Sequence, residues 1–305
     1  MKTEPAVSQR TLTSEFRLCG RGMHTGQTIS MTVCPGEPDT GICFLRSDQP
    51  PARALILARW SNVVRAEQST DLGNSAGVSV GSVEHIMAAF RLGGVDNALV
   101  VLNGPEIPGL DVGAAAFLDL IERAGIAEQD APARTIVLIQ SVQVREGDRY
   151  ARLTPSVNPR LTVTVDHPIA PSGLQSIATV WDLELLKRAL ARPRLATDAE
   201  ALLVRRRGLE PDLGKGLPTS ERIGNRPSLT DHEELVRHQA LDAIGDLYLA
   251  GCPMRANYDG FRPDHRLNVR LLRQALGQSS HVWTVVPMRT RTGGEPKTAA
   301  ALLHA

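Results

Sequence analysis

The chain of 305 residues contains no uninterrupted apolar run near the roughly eighteen residues that a membrane-spanning helix requires. Its opening stretch MKTEPAVSQR has no apolar core of the signal-peptide kind, so the expected location is the cytoplasm, without stable membrane insertion. Charge of one sign is missing too. The 34 basic and 33 acidic residues leave a net +1 and are interspersed, which argues against non-specific binding to nucleic acid or to an anionic membrane. Four cysteines, Cys19, Cys34, Cys43 and Cys252, show no CxxC spacing and read as reduced thiols rather than a disulfide framework, Cys19 and Cys34 being expected to be merely packed. Lysine is scarce as well: Lys2, Lys187, Lys215 and Lys297 are four of the 34 basic residues, and the other thirty are arginine.

A hydrophobic content of 42% over this length is enough for a sizeable core and suggests two domains. Two β-rich runs about a Pro/Gly/Asp turn in ISMTVCPGEPDTGICFLRSD predict a hairpin, and YARLTPSVNPRLTVTVDHP repeats that shape about a Pro/Asn turn. Each is followed by a helix with a polar start, GSVEHIMAAFRLGG in the first half and DHEELVRHQALDAIGDLYLAG in the second. The chain therefore reads as an internal duplication. Ser82 is the expected N-cap of the first helix. Asp231 with Glu234 should cap the second, whose apolar face is Leu235, Leu241, Ile244 and Tyr248 and whose stop is Gly251 with Pro253. The boundary falls in AGIAEQDAPART, read as a polar linker, giving a first α+β domain over 1–130 and a second over 131–305. Residues 172–225, including the Arg205–Arg207 run, are expected to form a surface insertion.

Within RHQALDAIGD, His238 and Asp242 stand four apart and Asp246 continues the row, so all three rise from one helix face. Such a row fits a polar stripe facing solvent, and it also fits a site. Of the other histidines, His304 is terminal, His281 opens a strand, His167 ends one and His232 lies in the first helical turn, all expected to be structural or exposed. His24, in a glycine-flanked turn, suits either a functional or a backbone-bonding role. His85 and His265 remain. His85 follows Glu84 at the start of the equivalent helix of the other half, and with His238 and Asp242 it makes two nitrogens and one carboxylate oxygen. That set suits one zinc ion with a fourth position left for water, the pattern of a catalytic site. Glu84 is then the candidate general base, and His265, in RPDHRLN, the imidazole that steadies the oxyanion or protonates the leaving amine, oriented by Asp246.

Taken together, GMHTG, PDTGICFLRSD, SVEHIMAAF, NALVVLNGPEIPGLD, VRHQALDAIGDLYLAG and HRLNVRLLR resemble the zinc-dependent UDP-3-O-acyl-N-acetylglucosamine deacetylases of lipid A synthesis, from about Gln9 to about Leu276. The resemblance implies two domains of similar βααβ topology with their helices sandwiched between the two sheets. It implies His85, His238 and Asp242 as zinc ligands, Glu84 as base, and His265 with Asp246 behind it. The implied reaction removes the N-acetyl group from a nucleotide-linked amino sugar, a small-molecule substrate, in a protein expected to be monomeric.

Departures from the family pattern bear on the substrate. Gln239 stands where the family has lysine, so a cation expected near the developing oxyanion is replaced by a neutral amide. Thr179, in SIATVWDLELLKRAL, matches the family threonine that holds the tetrahedral oxygen, but the phenylalanines that begin the acyl passage are absent. Asp264 replaces the usual glycine before the last histidine, and Asp111, Val112 and Gly113 replace a DGS motif. Arg145, Arg149 and Arg270 are available as cations for a nucleotide diphosphate. Two functions fit: an active deacetylase, acting on the lipid A precursor or on another N-acetylated sugar, and a degenerate homologue that binds zinc and ligand without turnover.

Overall fold

The computed structural model describes residues 6–109, 113–166, 173–190, 234–277 and 282–288. Asp231, the Arg205–Arg207 run and the stretch 193–225, His167, His232, His281 and His304, and Asp111 and Val112 lie outside the described residues, as does the side chain of Glu234. The first half runs β1 (Ser8–Leu12), β2 (Phe16–Gly22), β3 (Thr28–Pro35), β4 (Ile42–Arg46), β5 (Leu55–Leu57), β6 (Val63–Ala66), β7 (Thr70–Gly73), β8 (Ser79–Val80), α1 (Glu84–Gly93), β9 (Ala98–Leu102), β10 (Pro108–Gly109) and α2 (Ala115–Ala124). The second runs β11 (Ile126–Pro132), β12 (Arg134–Leu138), β13 (Val142–Glu146), β14 (Arg149–Pro155), β15 (Arg160–Asp166), β16 (Leu174–Val180), α3 (Leu183–Leu190), α4 (Glu234–Tyr248), β17 (Met254–Phe261), α5 (His265–Leu276) and β18 (Trp283–Pro287).

Neither expected hairpin forms. Strand β9 lies between β3 and β4, antiparallel to the first and parallel to the second. In the same way β17 lies between β14 and β15, antiparallel and parallel respectively. The Pro/Gly/Asp and Pro/Asn turns reverse the chain, but a reversal leaves room for a third strand, which arrives later through a helical crossover. The shared displacement is itself the mark of duplication: the order β2-β3-β9-β4-β5 in one half repeats as β13-β14-β17-β15-β16 in the other. Strands β6, β7 and β8 make a small separate sheet.

The expected linker is a strand. Residues Ile126–Pro132 form β11, antiparallel to β1 with Leu12 opposite Ile126. No residue of β11 is buried, so it carries no apolar alternation from which a strand is read, and its backbone ladder alone defines it.

Helix α4 is the centre of the molecule. It packs on α1, α3 and α5 and on strands β15 and β16, while α5 lies on β13 and β14 and α1 also meets α2. Its residues Ala240 to Tyr248 are all buried, so this part is covered on every side rather than along one apolar stripe. A helix so enclosed needs a small residue where another backbone crosses it. Gly245 supplies this, since a Cβ there would lie 1.9 Å from the carbonyl oxygen of Glu84 on α1. The helix ends as expected at Gly251, which adopts φ 92°. Inward-facing residues of both large sheets, among them Met31, Phe44 and Val100 on one side and Leu153, Val163 and Tyr258 on the other, join the helices in one core.

Candidate active site where α1, α4 and α5 meet

The row on α4 faces inward. His238 and Asp242 are each 5% exposed and Asp246 is fully buried, which removes the reading as a solvent-facing stripe. One helix supplies three polar side chains to the interior, and burial at that cost requires that each be partnered.

Glu84 and His85 enter from the first turn of α1. Ser82 does not cap this helix: it sits at φ 60° and its hydroxyl donates to Glu106 Oε1 at 3.2 Å, leaving Val83 at the N-cap without a side-chain bond. The left-handed backbone at Ser82 turns its hydroxyl away from the helix terminus. Glu84 Oε2 accepts instead from the Thr70 amide at 2.9 Å. His265 opens α5, which Asp264 caps by accepting from the Leu267 amide at 2.8 Å.

These side chains converge on Asp242. Its Oδ1 lies 3.1 Å from His85 Nε2, and its Oδ2 lies 3.5 Å from His238 Nε2 and 4.0 Å from His265 Nε2. The two ligand-type imidazoles meet edge to face with centroids 5.0 Å apart. One ligand atom from each of His85, His238 and Asp242 lies within 4.8 Å of the others, so this trio has the spacing and donor chemistry to hold a metal ion.

A second layer fixes His265. Its Nδ1 is 3.0 Å from Asp246 Oδ2, which also accepts from Asn268 Nδ2 at 2.9 Å, while Asp246 Oδ1 accepts from the Thr70 hydroxyl at 2.6 Å. Tyr258 then donates to Asn268 Oδ1 at 2.6 Å. Thr70 thus holds two carboxylates at once, Glu84 through its amide and Asp246 through its hydroxyl. Sequence reasoning missed Thr70 and Tyr258, which carry no local signal. Asn268 did carry one, standing three residues after His265 on the same helix face.

Burial and charge oppose each other here. Burial raises the Glu84 carboxyl above its ordinary range, and the nearby His265 and His85 only partly offset it. Burial would likewise raise Asp242, but His238, His85 and His265 outweigh it and hold that carboxyl far below the usual range. For His265 burial favours the neutral ring, yet Asp246, Asp242 and Glu84 prevail and keep the imidazole well above its ordinary value. The cluster therefore sets an upward-shifted carboxyl, Glu84, and an upward-shifted imidazole, His265, about a downward-shifted Asp242.

The remaining candidates stand apart. Thr179 lies on β16, its hydroxyl donating to the Val180 carbonyl at 3.3 Å, and no hydrogen bond among the described residues ties it to the cluster. The side chain of Gln239, half-buried on α4, makes no hydrogen bond among the described residues. Arg145 is exposed on β13, whose neighbours Val142 and Val144 face the core, and its guanidinium lies 5.6 Å from the Tyr150 ring centre. Arg270 is exposed and pairs with Glu146 at 3.2 Å, and Arg149 is ion-paired to Asp264. No ion pair or hydrogen bond among the described residues ties any of the three arginines to His85, His238, Asp242 or Asp246. The His24 amide donates to Glu106 Oε1 at 2.8 Å, while the Thr25 amide and hydroxyl donate to Oε2, each at 2.9 Å. Glu106, 2% exposed, was also missed by sequence reasoning, because its partners lie far away along the chain.

Residues 9–277 match the family model described as UDP-3-O-acyl N-acetylglycosamine deacetylase. A protein of Stenotrophomonas maltophilia named UDP-3-O-acyl-N-acetylglucosamine deacetylase is 35% identical over 306 residues, covering 98% of this chain and 100% of that protein. Proteins of the same name from Thioalkalivibrio sulfidiphilus and Methylococcus capsulatus are each 34% identical. They cover 95% and 92% of this chain, and 96% and 93% of their own lengths.

Proposed function

Because the chain belongs to the UDP-3-O-acyl N-acetylglycosamine deacetylase family, and is accordingly a deacetylase, we propose that it removes the N-acetyl group of a UDP-3-O-acyl-N-acetylglucosamine on the route to lipid A, with zinc held by His85, His238 and Asp242. The observation that carries this reading is the convergence of those three ligand atoms within 4.8 Å beside Glu84 and His265. Two imidazole nitrogens and a carboxylate oxygen fit zinc and leave it an open position. Bound there, zinc supplies Lewis acidity, acidifying a water and polarising the acetyl carbonyl.

The protein's own groups move the protons. Glu84 accepts a proton from the attacking water as the water oxygen bonds to the acetyl carbon. His265 faces Asp242 with Nε2 and holds Asp246 with Nδ1, so it presents a charged ring that stabilises the oxyanion and then gives a proton to the sugar nitrogen as the C–N bond breaks. Acetate and a free amine leave. Asp246, fully buried and held by Thr70 and Asn268, keeps the ring in that orientation. A binder without turnover would have no use for a buried Glu84 carboxyl or for the Asp246–His265 pair.

Zinc-loaded protein incubated with UDP-3-O-acyl-N-acetylglucosamine, and in parallel with the sugar lacking its acyl chain, tests the proposal through release of acetate. Glu84→Gln should abolish release while retaining zinc, and His238→Ala should lose tight zinc. Undiminished zinc in His238→Ala, or a near-normal rate in Glu84→Gln, would overturn the assignment.

A further inference from the structure

We infer that the turn between β13 and β14 is an ionic clasp that positions His265, with Arg149 and Asp264 as its central pair. The inference rests on the reading of His265 as the group that stabilises and protonates, and adds the device that aims it. Every charged residue from Glu146 to Arg149, at the turn and the strand ends that flank it, reaches across to the segment that carries His265. Glu146 pairs with Arg266 and with Arg270 of α5, the latter at 3.2 Å, and Asp148 pairs with Arg262 at 2.9 Å. Arg149 pairs with Asp264, and its Nε donates to the Arg262 carbonyl at 3.1 Å.

The gripped segment is short and strained. Arg262 adopts φ 48°, a left-handed conformation that a non-glycine residue enters only when its surroundings impose it. Its amide is held by the Thr164 carbonyl at 2.7 Å and its carbonyl by Arg149. Asp264 then divides its carboxylate: Oδ1 caps α5 through the Leu267 amide and Oδ2 meets Arg149. His265 is the next residue, so the entry angle of α5 and the direction of the imidazole follow from how Arg149 grips both Asp264 and the Arg262 carbonyl. A guanidinium fork can hold two acceptors at fixed spacing, which an ammonium cannot. Arg149 is in this reading a positioning residue, and its charge is spent within the protein rather than on substrate.

Steady-state kinetics on UDP-3-O-acyl-N-acetylglucosamine separate the alternatives. Arg149→Ala and Asp264→Asn, the latter keeping a cap for α5 but losing the ion pair, should each lower kcat by about tenfold with KM within about twofold, because misaiming a catalytic group by a fraction of an ångström acts on the chemical step. Their combination should be no worse than the poorer single variant. Arg149→Lys should fall between wild type and Arg149→Ala. The clasp is overturned if KM rises while kcat stands, if kcat is unchanged, or if the double variant shows the product of the two single losses. His265→Ala, run alongside, must lose several orders of magnitude. If it does not, the role given to His265 fails, an outcome distinct from failure of the clasp. Should Arg149→Ala melt below the assay temperature, Arg149→Lys and Asp264→Asn carry the test.

Discussion

Replacing Gly245 by alanine adds one methyl group at the point where α4 crosses α1. The new Cβ would start 1.9 Å from the Glu84 carbonyl oxygen, where ordinary contact begins at 3.4 Å, so the helices must part by about 1.5 Å or distort locally. Overpacking of this kind costs about 1–3 kcal/mol, and alanine recovers about 1 kcal/mol of helix propensity, leaving a net loss of roughly 0–2 kcal/mol. In a chain of this length that is a fall of a few degrees in Tm. The site is affected much more. Glu84 and His85 ride on α1 while His238 and Asp242 ride on α4, and metal–ligand distances tolerate only about 0.2 Å. Gly245→Ala should therefore stay folded, lose at least about a hundredfold in zinc affinity by chelator competition, and lose a comparable factor in deacetylation rate. Wild-type zinc affinity and rate in a well-folded Gly245→Ala protein would refute the claim that this glycine sets the helix separation on which the site depends.

Arg46 bonds Asp48 through two nitrogens and holds its carboxyl down at about 2. A depressed carboxyl contributes stability that is full above its ordinary value near 3.8 and is lost as pH falls towards 2. Asp48→Asn should thus cost about 1 kcal/mol at pH 7 and converge with wild type between about pH 4 and 2, read by urea unfolding. A pH-independent gap would contradict this. Tyr258→Phe leaves Asn268 Oδ1 without its donor and should destabilise by about 1–3 kcal/mol, and an unchanged denaturation midpoint would mean the 2.6 Å bond contributes nothing. Gln239→Lys places a cation one residue beyond His238 and should raise kcat about tenfold if that position faces the reacting carbonyl, since such donors are worth about two to three orders of magnitude. An unchanged rate would show that residue 239 points elsewhere.

What could be read in advance was local. His238, Asp242 and Asp246 declared a shared face because helical spacing is set within one element, and Gly251 declared the end of α4 for the same reason. Strand order could not be read that way. The turns before β4 and before β15 carry hairpin chemistry, yet β9 and β17 fill the gaps, and only the completed crossover decides which strands touch. The supporting residues were equally silent. Thr70 bonds Asp246 from 176 positions away and Glu106 holds Thr25 from 81, separations over which no pattern in the chain is visible. Ser82 misled because its composition suits a cap while its backbone, at φ 60°, does not.

The division of the cluster between two helices also sets an order of events during synthesis. His85 and Asp242 are 157 positions apart, and at about 5–20 residues per second the ribosome needs roughly 8–30 s to pass from one to the other. Throughout that interval the emerging chain presents a lone histidine and a carboxyl with no companion helix to enclose them. The cluster closes only once α4 has been made and has docked on α1, so a chain broken off between the two acquires neither the buried carboxylates nor the catalyst.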